Sequence, residues 1–468
     1  MSSSTGATPS RLLKTFLPIL LFIPLSSLAL NQSFWLDEAA SLSLANRSLS
    51  SLFSVIRGDF HPPLFYLLLL PFLRAGITAE WALRLPNLMI SVASLVIFQQ
   101  IVKQIRLKHP TLALLLLATN PFFLYYSIEL RMYPLSLLLT LISWYTLLKP
   151  SLTRQWRLLF FLSTLLHFYT FYGAVFVYAS QGLYIYFARK NLCRFFLISS
   201  FFLLLGFLPW VPVLSVQLQG GRYLTSHLPG WTSLSGVVSP KSILLIFAKF
   251  VSGRINLSFS PLIFTFVALH TSLVLIAIIK GLFVRPKPLL YWLLVPLFLA
   301  LLVSLYSPML GYWRFLYLLP AVVLITSIGI NRLTFSLILI LNLIAWVIFL
   351  LTPSFHREDW RDALNWVVGD NSVIVVAFSD RFAPVAWYAP NQPVIAPLKN
   401  LTLPADLDQT IQTQALPYTQ IYYFDYLSDL TDPQRLIKSS LDRAGFIPVT
   451  SRSFTGIGSV TLLKTLPL

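Results

Sequence analysis

Apolar residues in the first three quarters of the chain fall into long blocks separated by short polar, basic or aromatic connections. A spanning helix needs about 20 mostly apolar residues. The pattern predicts eleven such helices, over 12–30, 85–102, 111–127, 134–149, 156–171, 174–187, 195–214, 258–280, 288–306, 315–331 and 333–352. The stretch 62–73 is only twelve residues and predicts a helix at the membrane surface or dipping part-way in. Ser48–Ile56 (SLSSLFSVI) has the spacing of an amphipathic helix lying on that surface. After Pro353 the texture changes. His356–Asp362 opens an amphipathic helix, and Ser372–Phe378 (SVIVVAF) reads as a buried strand. Further strands are expected at 393–397, 420–424, 446–450 and 458–463, with a helix at 433–443. The expected fold is thus an all-α polytopic membrane domain over 1–352, with about eleven transmembrane helices and a first outer loop, 31–84, carrying juxtamembrane helices. A small α/β domain over 353–468 follows.

Composition supports a lipid-solvated chain. Hydrophobic residues make up 56% and charged residues 11%, whereas soluble domains carry about 25% charged residues. The net charge of +18 does not point to nucleic acid, because of where the charges lie. Between Met1 and Thr352 there are five carboxylates, Asp37, Glu38, Asp59, Glu80 and Glu129; the other eleven acids follow Pro353, where they outnumber the bases. With the N-terminus inside, the inner connections collect fifteen basic residues and no acid, as the positive-inside rule requires. If 62–73 crossed, every later basic cluster would face outward. The expected location is therefore the plasma (inner) membrane, multi-pass, with a cytoplasmic N-terminus and an extracytoplasmic C-terminal domain. Arg11 and Lys14 before the first block could introduce a signal peptide, but the many spans that follow favour an uncleaved helix. The lone Cys193 excludes an internal disulfide framework and a cysteine zinc site.

Four outer segments hold nearly all the unusual polar residues. The first contains Trp35-Leu36-Asp37-Glu38-Ala39 and, later, Asp59-Phe60-His61-Pro62-Pro63-Leu64-Phe65-Tyr66. The second is Tyr125-Tyr126-Ser127-Ile128-Glu129-Leu130-Arg131-Met132-Tyr133-Pro134. The third is Gly220-Gly221-Arg222-Tyr223 in a loop running through His227 and Trp231, and the fourth is Tyr312-Trp313-Arg314-Phe315-Leu316-Tyr317. A carboxylate at the membrane boundary can take a proton from an attacking hydroxyl. Arginines at the same depth match the oxygens of a phosphate leaving group. Aromatic faces suit a sugar ring and an isoprenoid chain. Such a set fits group transfer from a lipid-linked phosphate donor.

The W-x-D-E-A, H-P-P-L-x-Y and Y-S-x-E-x-R-M-Y elements, and the arginine-aromatic element before a late span, resemble the C-type (GT-C) membrane glycosyltransferases. The chain looks most like the bacterial relatives of protein O-mannosyltransferases and of the lipid A aminoarabinose transferase. The likeness is densest from Phe34 to Pro134. It implies inverting transfer of a sugar, a hexose such as mannose or a modified pentose, from a polyprenyl-phosphate donor to a lipid, glycan or protein acceptor outside the cytoplasm. By that resemblance Asp37 is the loop-one catalytic aspartate, and Glu38, its customary neighbour, is the second catalytic candidate. His61 falls where relatives carry a lysine or histidine near the donor phosphate. Arg131 and Arg314 match the arginines of the second and fourth elements, and Glu129, Tyr133 and Tyr317 join them as candidate substrate contacts. One departure is that Phe315, not tyrosine, follows Arg314, with Tyr317 two residues further on.

Each residue also has a structural reading. Asp37 and Glu38 could be solvated acids or a helix N-cap, and Glu129 with Arg131 a structural pair. Arg314 could be an interfacial anchor, and His61 a cap before a helix whose first turn accepts Pro. His167 and His270 inside spans are expected to make polar helix-packing contacts. Asp37, Glu38, Asp59 and His61 together could hold Mg or Mn, and related oligosaccharyltransferases use a metal in this region. The O-mannosyl and aminoarabinose branches do not need one, so no metal is expected. The rival functions are a transporter or flippase, whose ionisable groups would sit at the bilayer midplane, and a surface-polysaccharide polymerase or ligase.

Overall fold

The structure, a computed structural model, describes residues 9–369, 371–399 and 401–465; the side chains of residues 9–15, Pro229 and Ser233, and so of Arg11 and Lys14, lie outside the described residues. Helix α1 (Pro9–Ser27) leads into three short helices of the first loop, α2 (Leu36–Ala45), α3 (Leu49–Val55) and α4 (Leu64–Arg74). The bundle continues through α5 (Glu80–Gln104), α6 (Pro110–Ala118), α7 (Pro121–Tyr126), α8 (Tyr133–Leu147), α9 (Arg154–Phe168) and α10 (Ala174–Ala188). Next, α11 (Cys193–Phe207) runs into α12 (Val211–His227) through a 3-10 turn, and α13 (Pro229–Ser235) and α14 (Pro240–Ser252) follow. The last four are α15 (Pro261–Phe283), α16 (Lys287–Ser304), α17 (Leu319–Gly329) and α18 (Arg332–Leu351).

Among the described residues six helical stretches are long and apolar enough to cross a membrane: 80–104, 190–227, 261–283, 287–304, 312–329 and 332–351. The remaining blocks fall on shorter helices. The block 111–127 is divided because the Asn120 side chain accepts from Phe123 N at 3.0 Å and Pro121 takes the first helical position, an N-terminal pairing that starts a fresh helix. Ser239 and Ser260, each followed by Pro, cap α14 and α15 in the same way, and Asn331 caps α18 by accepting from Thr334 N. Large apolar side chains of α11, α15 and α18 stand exposed around the bundle, Leu262 to 80% and Phe283 to 81%, as in a surface solvated by hydrocarbon. The chain is a multi-pass membrane protein.

Several elements differ from expectation, among them the helix expected to open at His356, which begins at Trp360 where Asp359 caps it by accepting from Asp362 N at 3.3 Å. The segment with Gly220 and Gly221 lies within α12 rather than in a loop, since neither glycine takes a positive φ and the helix runs to His227. The amphipathic α14, before the block 258–280, was not anticipated; it packs on α7, α15 and α18.

After α18 the chain forms a five-stranded sheet of β1 (Ser372–Val376), β2 (Val394–Ile395), β3 (Gln420–Phe424), β4 (Phe446–Phe454) and β5 (Gly458–Thr465), in the order β2-β1-β3-β5-β4. β1 is parallel to β2 and β3, pairing Ile374 with Val394 and with Tyr422, while β5 runs antiparallel to β3 and β4. Helices α19 (Trp360–Asn365), α20 (Ala383–Tyr388), α21 (Leu407–Ala415), α22 (Ser428–Thr431) and α23 (Leu436–Arg443) surround it. Val373 and Val375 face Ile411 and Leu441, whereas Ile374 and Val376 face Trp360, so both faces of β1 are covered. That explains its uninterrupted apolar run.

This C-terminal unit grips the first loop. Tyr388 Oη accepts from Phe34 N at 2.7 Å and donates to Glu80 Oε1 at 3.0 Å, and Arg361 pairs with the same carboxylate at 3.1 Å. Glu358 Oε2 accepts from Leu36 N at 2.9 Å and from Trp360 Nε1 at 2.7 Å.

Candidate active site

Asp37 occupies the first turn of α2, whose leading N–H, that of Leu36, is bound by Glu358. Its side chain is 41% exposed, and Arg131 Nη2 stands 3.6 Å from its Oδ2. Arg131 Nη1 also donates to the Asp37 carbonyl and to Ser41 Oγ, each at 3.3 Å. Asn87 of α5 sets the turn that delivers Arg131: its Nδ2 donates to the carbonyls of Glu129 and Arg131.

Glu38 points the other way. Its carboxylate is fully buried and accepts from Arg84 through two nitrogens and from Leu130 N at 2.8 Å, with Arg357 Nε 3.6 Å away. Burial would raise this carboxyl; Arg84, Arg357 and the Leu130 N–H outweigh it and hold it below the ordinary value. Arg84 further binds the carbonyls of Leu30, Gln32 and Ser33, and Arg357 reaches Gln32 and the Tyr125 carbonyl. The two neighbouring acids therefore separate, Asp37 to the open side and Glu38 into a closed cationic network.

The second half of the loop brings Asp59 and His61 to the same side as Asp37. Tyr66 donates to Asp59 Oδ2, and His61 Nδ1 lies 3.5 Å from that oxygen. Burial opposes the charge on Asp59, but His61, Tyr66 and Arg131 bring its carboxyl down to about 2. Burial and the Arg131 charge lower His61 against the pull of Asp59 and Asp37. Gln217 of α12 fixes this turn by donating to the carbonyls of Ile56 at 2.7 Å and His61 at 3.3 Å. Glu129 is buried, and its Oε2 has no hydrogen-bond partner among the described residues. Burial pushes it up to about 8, with Glu38 adding to the effect against Arg357 and Arg131.

Arg314 lies further round. Its Nη1 donates to the Ser235 carbonyl at 3.2 Å and its guanidinium sits 5.7 Å from the Trp313 ring, within electrostatic range of Tyr133. Among the described residues it makes no hydrogen bond to Asp37 or Arg131. Tyr133 and Tyr317 are both buried and meet through Phe171, at ring separations of 6.0 and 6.3 Å. His167 bonds Ser136 at 2.7 Å, a polar contact between α9 and α8. His270 departs from expectation: neither ring nitrogen has a hydrogen-bond partner among the described residues, and its neighbour is the Phe266 ring.

A cation outside the four segments borders the site. Arg254 donates to Tyr312 Oη at 3.3 Å and stands over the rings of Trp35 and Tyr125, at 5.8 and 5.5 Å. Gly253 turns it there: with φ 59° and ψ −123° it ends α14, and a Cβ would come within 2.9 Å of the Pro121 carbonyl. The sequence signal was faint, one Ser-Gly-Arg after an amphipathic stretch. The four residues considered as metal ligands do not converge, because Glu38 is enclosed by arginines while Asp37 faces Arg131; among the described residues no group of three His, Cys, Asp or Glu could hold a metal.

No family model matches the chain, and no curated protein matches its sequence. Solved structures do. ArnT from Cupriavidus metallidurans bound to undecaprenyl phosphate is similar at 11% identity with a TM-score of 0.57, over 98% of each chain. The oligosaccharyltransferase of Archaeoglobus fulgidus in complex with zinc and sulfate is similar at 13% identity with a TM-score of 0.52, over 97% of this chain and 74% of its own. Arabinofuranosyltransferase AftD from Mycobacteria gives 14% identity and a TM-score of 0.50, over 99% of this chain and 40% of its own. All three are GT-C enzymes, and the chain shares their fold.

Proposed function

We propose that this GT-C-fold protein is an inverting glycosyltransferase that moves a sugar from a polyprenyl-phosphate donor to a hydroxyl of a lipid, glycan or protein acceptor. The observation that carries the reading is the division of labour in the first loop: Asp37 keeps an open face beside Arg131 while Glu38 is sealed by Arg84 and Arg357. Asp37 takes the proton of the acceptor hydroxyl, whose oxygen forms a bond to the anomeric carbon. The bond from that carbon to the phosphate oxygen breaks, and its electron pair leaves with the polyprenyl phosphate. Arg131, Arg254 and Arg314 supply guanidinium groups for the phosphate, which strengthens as an acceptor while charge builds on it. His61, Tyr133 and Tyr317 flank that space. Glu38 and Glu358 act as positioning residues, one fixing the turn before Arg131 and the other the start of α2. In this reading residues 1–352 form the transferase domain with eleven crossings, and residues 353–468 form an extracytoplasmic domain in an inner-membrane protein.

The fold relatives support the donor class, since ArnT was captured with undecaprenyl phosphate. An Asp37→Asn variant should insert and fold as wild type yet lose transfer from labelled polyprenyl-phosphate sugar by about 100-fold or more. Full activity in that variant would remove Asp37 from the chemistry. Acceptor analysis by mass spectrometry separates simple transfer from polymerase or ligase activity.

A further inference from the structure

A second polar site lies at the opposite end of the bundle. Arg332 begins α18, whose 20 residues at 1.5 Å each separate it by about 30 Å from the loop-one end. There the connection into α6 and the start of α18 enclose an open cavity of about 460 Å³, lined by Lys108, His109, Thr111, Arg332, Phe335 and Ser336 among others. Lys108 and Arg332 are exposed and His109 is half-buried. None of the three side chains has a hydrogen bond or ion pair among the described residues, and neither 103–112 nor 330–337 contains an acid. Three basic side chains thus share one cavity with no anion to answer them.

The rest of the lining narrows the ligand. α6 and α18 both begin at this cavity, so the positive ends of their helix dipoles add to the potential of the side chains. Thr111 and Ser336 supply hydroxyls, and Phe335 with Leu112 supplies an apolar wall. Cations and hydroxyls at a mouth, with an apolar wall running into membrane helices, match an amphiphile with a phosphate head. We propose that this cavity binds a phosphate-bearing anion, with an anionic phospholipid headgroup as the occupant the apolar wall favours. Lys108 and Arg332 contact the phosphate, and the acyl chains follow Phe335 outward along α18.

The full chain, purified in mild detergent, would be titrated with phosphatidylglycerol, with phosphatidylcholine and with inorganic phosphate, and binding read by native mass spectrometry. Phosphatidylglycerol should be retained in preference to phosphatidylcholine, and the Lys108→Gln/Arg332→Gln variant should bind it about thirtyfold more weakly, from the loss of two cations near a surface. Ser336→Glu, a change at an exposed position that brings a negative charge to the mouth, should weaken it as well. Saturable binding of inorganic phosphate that both variants abolish, without retention of phosphatidylglycerol, would assign the site to a soluble phosphate. Equal binding of both lipids, or binding that neither variant alters, would overturn the proposal.

Discussion

Replacing Glu38 by Gln keeps the outline of the side chain and removes its charge. In the folded protein that carboxylate accepts from Arg84 twice and from Leu130 N, with Arg357 Nε 3.6 Å away, and the side chains of Glu38, Arg84 and Arg357 are all sealed from solvent. The amide oxygen can still accept from Leu130, but the new NH2 group faces guanidinium donors. Two buried cations lose their anion; Glu129, freed of the repulsion from Glu38, recovers part of that charge but stays opposed by its own burial and does not bond Arg84. Removing one partner of a buried ion pair costs about 3–5 kcal/mol, a large part of a typical stability of about 5–15 kcal/mol. The variant should therefore appear in lower yield and lose its monodisperse peak at a lower temperature in detergent. The molecules that remain folded should still transfer sugar, at a reduced rate set by the slackened turn before Arg131. Asp37→Asn should show the reverse pattern, wild-type thermal behaviour without transfer. The assay is size-exclusion after stepwise heating, paired with transfer from labelled polyprenyl-phosphate sugar normalised to folded protein. A Glu38→Gln protein as heat-stable as wild type but inactive would refute the positioning role and make Glu38 part of the chemistry.

Arg131→Lys keeps a cation but loses the fork, whose Nη1 holds the Asp37 carbonyl and Ser41 while Nη2 faces the Asp37 carboxylate; kcat/KM should fall about ten- to hundredfold, and an unchanged value would exclude a fork-dependent role. Because burial and Arg131 hold His61 below its ordinary 6.5, the unfolded loop takes up a proton below about pH 6.5 that the folded loop resists. That stabilisation is present at about pH 7.5 and lost as pH falls towards 5, a window in which Asp59, held at about 2, stays charged. Hydrogen exchange of residues 57–61, corrected for intrinsic rates, should quicken across it, and His61→Asn should erase the pH dependence; a wild-type loop indifferent to pH would contradict this. Gly253→Ala forces a backbone region nearly closed to other residues, at a cost of about 1–3 kcal/mol. It should raise KM for the lipid donor by displacing Arg254, and an unaltered KM would argue against donor contact by that arginine.

The apolar blocks were legible because lipid-facing and bundle-facing helices are both written in the same residues, so each predicted block falls largely on helix, although among the described residues only six helical stretches are long and apolar enough to cross a membrane. The strands after Pro353 were legible through their β-branched runs, as in Ser372–Val376. Partnership was not. Asp37 and Glu38 are adjacent and chemically alike, and what separates them is Arg84 and Arg357, far away along the chain. Arg254 gave little signal because its role comes from a glycine turn and from the rings of Trp35 and Tyr125. The Gly220-Gly221 pair read as a break, yet glycine ends a helix only where the backbone needs a conformation other residues avoid, and here it does not.

The contact between Glu358 and Leu36 joins residues 322 positions apart, and Arg357 closes the same circuit on Glu38. During synthesis the first loop leaves the ribosome long before these partners exist. Glu38 can pair with Arg84 early, but the contacts from Arg357 and Glu358 must wait until α18 has been made and the stretch beyond it folds back. A product that stops before Arg357 is thus left with an unfinished centre, its first loop held from one side only.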